Sequence, residues 1–105
     1  MERKAWKGRI KPGYELEYIR RHDEIWPEMV TALKGAGICN YTIWKEGNNL
    51  FGYYECEKGI AFAEYVKATS DVVKRWNAYM NDILELDLNP ELGTASTLKQ
   101  IFRLD

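Results

Sequence analysis

The chain has 105 residues, a hydrophobic fraction of 46% and a formal net charge of −1, which point to one folded domain over residues 1–105 and exclude a disordered polymer. Charges of both signs are scattered without a basic stripe, so nucleic-acid binding has no electrostatic support. No apolar run is long enough for a bilayer, and Met1-Glu2-Arg3-Lys4 has no apolar leader core, so the expected compartment is the cytoplasm, with Cys39 and Cys56 reduced.

Residues 3–10 read as a first strand, with Trp6 and Ile10 on one face by alternation, and Pro12-Gly13 as the turn after it. From Tyr14 to about Arg21 the pattern is helical. Tyr14, Tyr18 and His22 follow at four-residue steps and form one stripe, with Leu16 and Ile19 as a neighbouring apolar face. Pro27 cannot occupy a helix interior, so this helix ends near residues 22–26 and Pro27 opens a second one through Met29, Val30 and Leu33. Gly35 and Gly37 offer its stop.

Residues 38–45 and 49–56 read as a hairpin about Gly47-Asn48. A two-residue loop opposes Cys39 with Cys56, Tyr41 with Tyr54, and Trp44 with Phe51. Residues 59–68 are helical. Ser70 caps a further helix carrying Val72, Val73, Trp76, Tyr79, Met80 and Ile83. Residues 85–95 read as a loop containing Asn89-Pro90, and Thr97–Leu104 as the last strand.

The order βαββαβ is the ferredoxin-like arrangement, an α+β fold with an antiparallel sheet covered by helices on one face. Large side chains on both faces of the hairpin leave an apolar sheet face without cover. A homodimer through that open face is therefore expected.

His22, the only histidine, has an ordinary pKa near cellular pH and can give or take a proton. Tyr18 is its neighbour one helical turn back. Trp76 offers a flat surface for the C–H face of a sugar, and the hydroxyl of Tyr41 needs a partner if buried. Each has a plainer reading: a satisfied helix edge for His22 and Tyr18, a core stripe for Trp76, a backbone partner for Tyr41. The run Glu15, Glu17, Arg20, Arg21, Asp23, Glu24 and Glu28 is most simply a solvated face with local ion pairs. One His and two distant Cys make no metal spacing, and no phosphate loop is present.

Beyond single residues, Tyr18-Ile19-Arg20-Arg21-His22-Asp23-Glu24-Ile25-Trp26-Pro27-Glu28 resembles the signature of the L-rhamnose mutarotase family. Gly37–Ile43, Thr69–Trp76 with Tyr79-Met80, and Arg3-Lys4-Ala5 resemble other parts of the same family in collinear order. The resemblance implies a ferredoxin-like, dimeric α/β-barrel fold and interconversion of the α and β anomers of L-rhamnose, with neither cofactor nor metal. It implies His22 as the proton donor and Tyr18, Tyr41 and Trp76 as sugar contacts. Asn77 stands where the family commonly has a second Trp.

Mutarotation opens a hemiacetal ring and recloses it on the other carbonyl face. On this reading His22 protonates the ring oxygen, and Tyr18, Tyr41 or water handles the anomeric hydroxyl. Two other functions fit the same fold: a small dimeric α/β-barrel monooxygenase, and a binding protein that holds a small ligand without turnover.

Overall fold

Alternating burial along β1 (Glu2–Ile10) puts Lys4, Trp6 and Ile10 on the inner face of a sheet and Lys7 and Arg9 outside. The computed structural model describes residues 1–86 and 98–105. After β1 come α1 (Glu15–Asp23), α2 (Pro27–Gly35), β2 (Ile38–Glu46), β3 (Asn49–Cys56), α3 (Ile60–Thr69), α4 (Asp71–Met80) and β4 (Leu84–Leu86). The strands form one antiparallel sheet in the order β2-β3-β1-β4. This is the ferredoxin-like order, with each helical connection broken into two pieces. None of the described helices is long and apolar enough to cross a membrane.

The breaks lie where the residues dictate. Pro27 opens α2 at its first turn. Ser70 ends α3 and caps α4, its Oγ accepting a hydrogen bond from the Val73 N–H at 3.3 Å. On α1 the buried side chains are Tyr18 and Arg21, whereas Leu16 and Ile19 face outward. The expected apolar flank is therefore on the solvent side. The inward stripe carries an arginine in its place.

The hairpin register holds near the turn, where Trp44 opposes Phe51 and Thr42 opposes Tyr53. It then slips by one at a bulge between Cys39 and Thr42, so Ile38 opposes Cys56 and Cys39 opposes Glu55. The expected Cys39–Cys56 pairing is wrong for this reason. Asn40 makes the slip possible, because Asn tolerates the left-handed backbone it adopts there (φ +50°). The extra residue reverses the alternation, and the more apolar Ile38 turns into the core where Cys39 would have been.

The last strand also differs from expectation. Leu84-Glu85-Leu86 form β4 where a loop was expected from residue 85, and residues 98–104 are not in a strand. Gly8 eases the docking: a Cβ there would lie 2.5 Å from Leu86 Cδ2 and 3.0 Å from the Glu85 carbonyl oxygen, so a side chain would push that leucine aside. The tail touches β1 through one backbone bond, Leu98 N–H to the Ala5 carbonyl at 2.7 Å. Asn89-Pro90 lies outside the described residues.

Candidate active site

Between the helices and the inner face of the sheet lies a cavity of about 620 Å³. Tyr18 and His22 of α1, Tyr41 of β2 and Trp76 of α4 all line it. The four residues singled out from sequence thus meet in one place, although they come from three elements.

His22 stands at the end of α1 between two aromatic rings. The Tyr18 ring centroid is 4.4 Å away and tilted by 34°, and Trp76 meets the imidazole edge-on at 5.5 Å. The Nδ1 atom lies 3.3 Å from the Tyr18 carbonyl oxygen. A carbonyl only accepts, so Nδ1 carries the proton of the neutral ring and leaves Nε2 bare as an acceptor. Desolvation lowers the His22 pKa below its ordinary 6.5, against the opposing Tyr18 carbonyl and Asp23 charge. The imidazole is therefore mostly neutral at pH 7, with its basic nitrogen available.

Trp76 is both core and wall. It is buried, yet it lines the cavity, and Trp26 packs edge-on against it at 5.1 Å. Tyr79 completes the aromatic group, 5.5 Å from Trp26 and 5.7 Å from Trp76. This packing removes rotamer freedom from the indole, leaving it preorganised as a flat surface.

Tyr41 is held from the sheet. Trp6 Nε1–H donates to its hydroxyl at 3.0 Å, and the Tyr54 ring lies 4.8 Å away. With its acceptor side engaged, the Tyr41 hydroxyl is free to donate to a guest. Burial pushes the Tyr41 phenol up to about 12 and raises that of Tyr18 further still. Both are hydrogen-bonding groups at neutral pH and poor bases.

Three contributors escaped the sequence reading. Arg21 was assigned to a solvated face, and the local pairs Arg20–Glu17 and Arg20–Glu24 do form there. Arg21 itself is only 9% exposed and bonds the Tyr79 carbonyl at 2.8 Å and Asp82 at 2.9 Å, tying α1 to the end of α4. Its guanidinium also lies 4.3 Å from the Tyr79 ring centroid. The signal was its place beside Tyr18 on the inward face. Trp6 is placed by sequence only on one strand face with Ile10. Lys67, which lines the cavity from α3, is not singled out in the sequence, although Ile60, Ala63 and Lys67 share a helical face.

The model of the L-rhamnose mutarotase family matches residues 3–104 of this chain. The chain belongs to the L-rhamnose mutarotase family. It is 39% identical to the L-rhamnose mutarotase of Bacteroides thetaiotaomicron and 40% identical to that of Lachnoclostridium phytofermentans, each alignment covering 100% of both chains. It also resembles the crystal structure of an L-rhamnose mutarotase from Formosa agariphila, with a TM-score of 0.79, 30% identity and full coverage of both chains. Family membership makes the chain an isomerase acting at an anomeric centre. Nothing in these likenesses favours a monooxygenase or a binding module. Asn77 lines the same cavity as Trp76.

Proposed function

We propose that this enzyme interconverts the α and β anomers of L-rhamnose, with His22 as its acid–base residue. The observation that carries this is the position of His22: a neutral imidazole with a bare Nε2, on the wall of an aromatic cavity. Ring opening removes the anomeric proton and delivers one to the ring oxygen. The neutral ring takes the anomeric proton first. The imidazolium so formed then protonates the ring oxygen, and the two transfers reverse when the ring recloses on the opposite face.

Tyr18 and Tyr41 offer hydroxyls to the sugar, and Trp76 packs on its apolar edges, including the C6 methyl of a deoxy sugar. Asn77 adds an amide at the same wall. The reaction needs neither cofactor nor metal, because both proton transfers can be made by side chains. We further propose that residues 1–105 act as one domain and that the enzyme works in the cytoplasm, in keeping with the free thiols of Cys39 and Cys56. It pairs as a homodimer through the open sheet face, where Trp44 is 69% and Phe51 45% exposed.

Saturation transfer between the anomeric NMR signals tests the reading. With the protein present, anomer exchange of L-rhamnose should exceed the buffer rate, and should exceed the acceleration seen with L-fucose, L-lyxose and D-mannose. Exchange of L-rhamnose at the buffer rate contradicts the function. A larger effect on another sugar of the panel contradicts the substrate.

A further inference from the structure

Under the cavity, the inner face of the sheet lacks side chains at two adjoining places, Gly8 of β1 and Gly52 of β3, and the Trp6 indole lies against both. Gly52 is the partner of Trp6 across the ladder. A Cβ on Gly52 would stand 2.1 Å from Trp6 Cε2 and 2.2 Å from Nε1, and one on Gly8 would stand 3.4 Å from Cζ3. The indole is thus pressed onto the backbone, with its Nε1 edge over β3. It is only 5% exposed and still lines the cavity. A ring packed this closely has little freedom to swing, so its one polar atom has a fixed place.

That place sends the Nε1–H across β3 to the Tyr41 hydroxyl on β2, at 3.0 Å. A phenol has one proton, and it cannot point at an N–H that arrives to donate. Among the described residues nothing accepts the Tyr41 proton, and the half-buried ring lines the cavity. Burial pushes the Tyr41 pKa up to about 12, so the phenol keeps that proton at neutral pH. Two other tyrosines provide the contrast. The Tyr54 hydroxyl accepts from Lys67 Nζ at 3.4 Å and does not line the cavity. Tyr18 lines the cavity with a hydroxyl that no described residue engages, so it can turn to donate or to accept. Tyr41 alone of the three is both at the cavity and committed to donating.

We propose that Trp6 is a positioning residue for the substrate: its indole N–H fixes the Tyr41 hydroxyl as a donor to an oxygen of the bound sugar. This rests on the function proposed above and deepens it. Trp6 acts through Tyr41 and not on the reacting atoms. The Tyr41 proton is oriented before the sugar arrives, so binding does not bear the cost of ordering it. A bond of this kind serves the bound sugar and the transition state alike, and its loss therefore shows in KM and not in kcat. Trp6→Phe keeps an aromatic ring over the two glycines and removes only the donor.

The experiment is a double-mutant cycle on L-rhamnose anomer exchange with wild type, Trp6→Phe, Tyr41→Phe and the doubly substituted protein. The dependence of the catalysed rate on sugar concentration gives kcat and KM, and far-UV circular dichroism checks each fold. Trp6→Phe should raise KM roughly 2- to 10-fold with little change in kcat. The same substitution in the Tyr41→Phe background should add less than about twofold, because the hydroxyl it orients is gone. A second readout is the proton–nitrogen correlation signal of the Trp6 indole, assigned in the wild type through bonds. It should move upfield in Tyr41→Phe, which keeps the ring and removes the acceptor. An equal KM rise in both backgrounds means that the indole acts by shape alone, and overturns the proposal. So does an unchanged KM in a folded Trp6→Phe, or an indole signal that Tyr41→Phe leaves in place. If Trp6→Phe does not fold, the indole signal decides. If the wild type accelerates exchange and any of the overturning results appears, the Trp6 role alone fails. If the wild type accelerates nothing, the function reading fails and the Trp6 role with it.

Discussion

At the scale of single residues, the cavity wall holds two basic groups whose pKa burial lowers and two phenols whose pKa burial raises. Each basic group carries a stability consequence with a definite sign. The folded-state pKa of His22 lies below 6.5, so the unfolded chain binds the proton more readily. Its contribution is present above pH 6.5 and is lost as pH falls through the folded value. Urea titrations of wild type and His22→Gln at pH 7.5 and 5 should show the wild type losing more stability on acidification. Lys67 is also lowered, from 10.5 to about 8. Below pH 8 the native state bears the cost of a buried charge, and that cost disappears as pH rises from about 8 to 10.5. Lys67→Met should therefore stabilise the fold at pH 7, by about 1–2 kcal/mol once partial exposure is allowed for, and denaturant midpoints check it.

At the scale of elements, the site depends on close approaches that a sequence does not announce. Trp6 lies flat over Gly52 of the neighbouring strand, and a Cβ there would stand 2.1 Å from Trp6 Cε2. Gly52→Ala should push the indole out, break its bond to Tyr41 and cost about 1–3 kcal/mol, with weakened sugar binding. Urea unfolding and a sugar titration measure both. Arg21 joins α1 to the end of α4. Arg21→Met should cost about 1–3 kcal/mol and raise KM, because the helices carrying His22 and Trp76 lose their tie. Most of the elements themselves were readable from the residues. Pro27, Ser70 and the Gly47-Asn48 turn each have a local meaning that tertiary contacts do not override. The bulge at Asn40 was not readable, since it turns on whether Ile38 or Cys39 gains more from burial across the sheet. Nor was β4, whose three residues are held by pairing with Gly8, Arg9 and Ile10 of β1. The site was readable as residue types and as a family-like segment. Arg21 and Lys67 were missed because a charge on a helix is ordinarily solvated, and only packing shows which ones turn inward.

At the scale of the whole molecule, one sheet face carries the site and the other lacks cover among the described residues. Trp44 and Phe51 lie exposed on β2 and β3, and Phe102 of the tail is 78% exposed. Pairing through this face should give a particle of about twice the 12.3 kDa chain mass. Light scattering at micromolar concentration should find that dimer, and Phe51→Glu should shift it toward the monomer. A monomeric wild type contradicts the dimer and leaves the chemistry of the cavity intact. That chemistry rests on His22. The most direct measurement compares L-rhamnose anomer exchange at pH 7 by saturation-transfer NMR for buffer, wild type and His22→Ala. The predicted result is fast exchange with the wild type and a loss of roughly 10²–10⁴-fold in His22→Ala. Exchange by a folded His22→Ala at the wild-type rate would contradict the account.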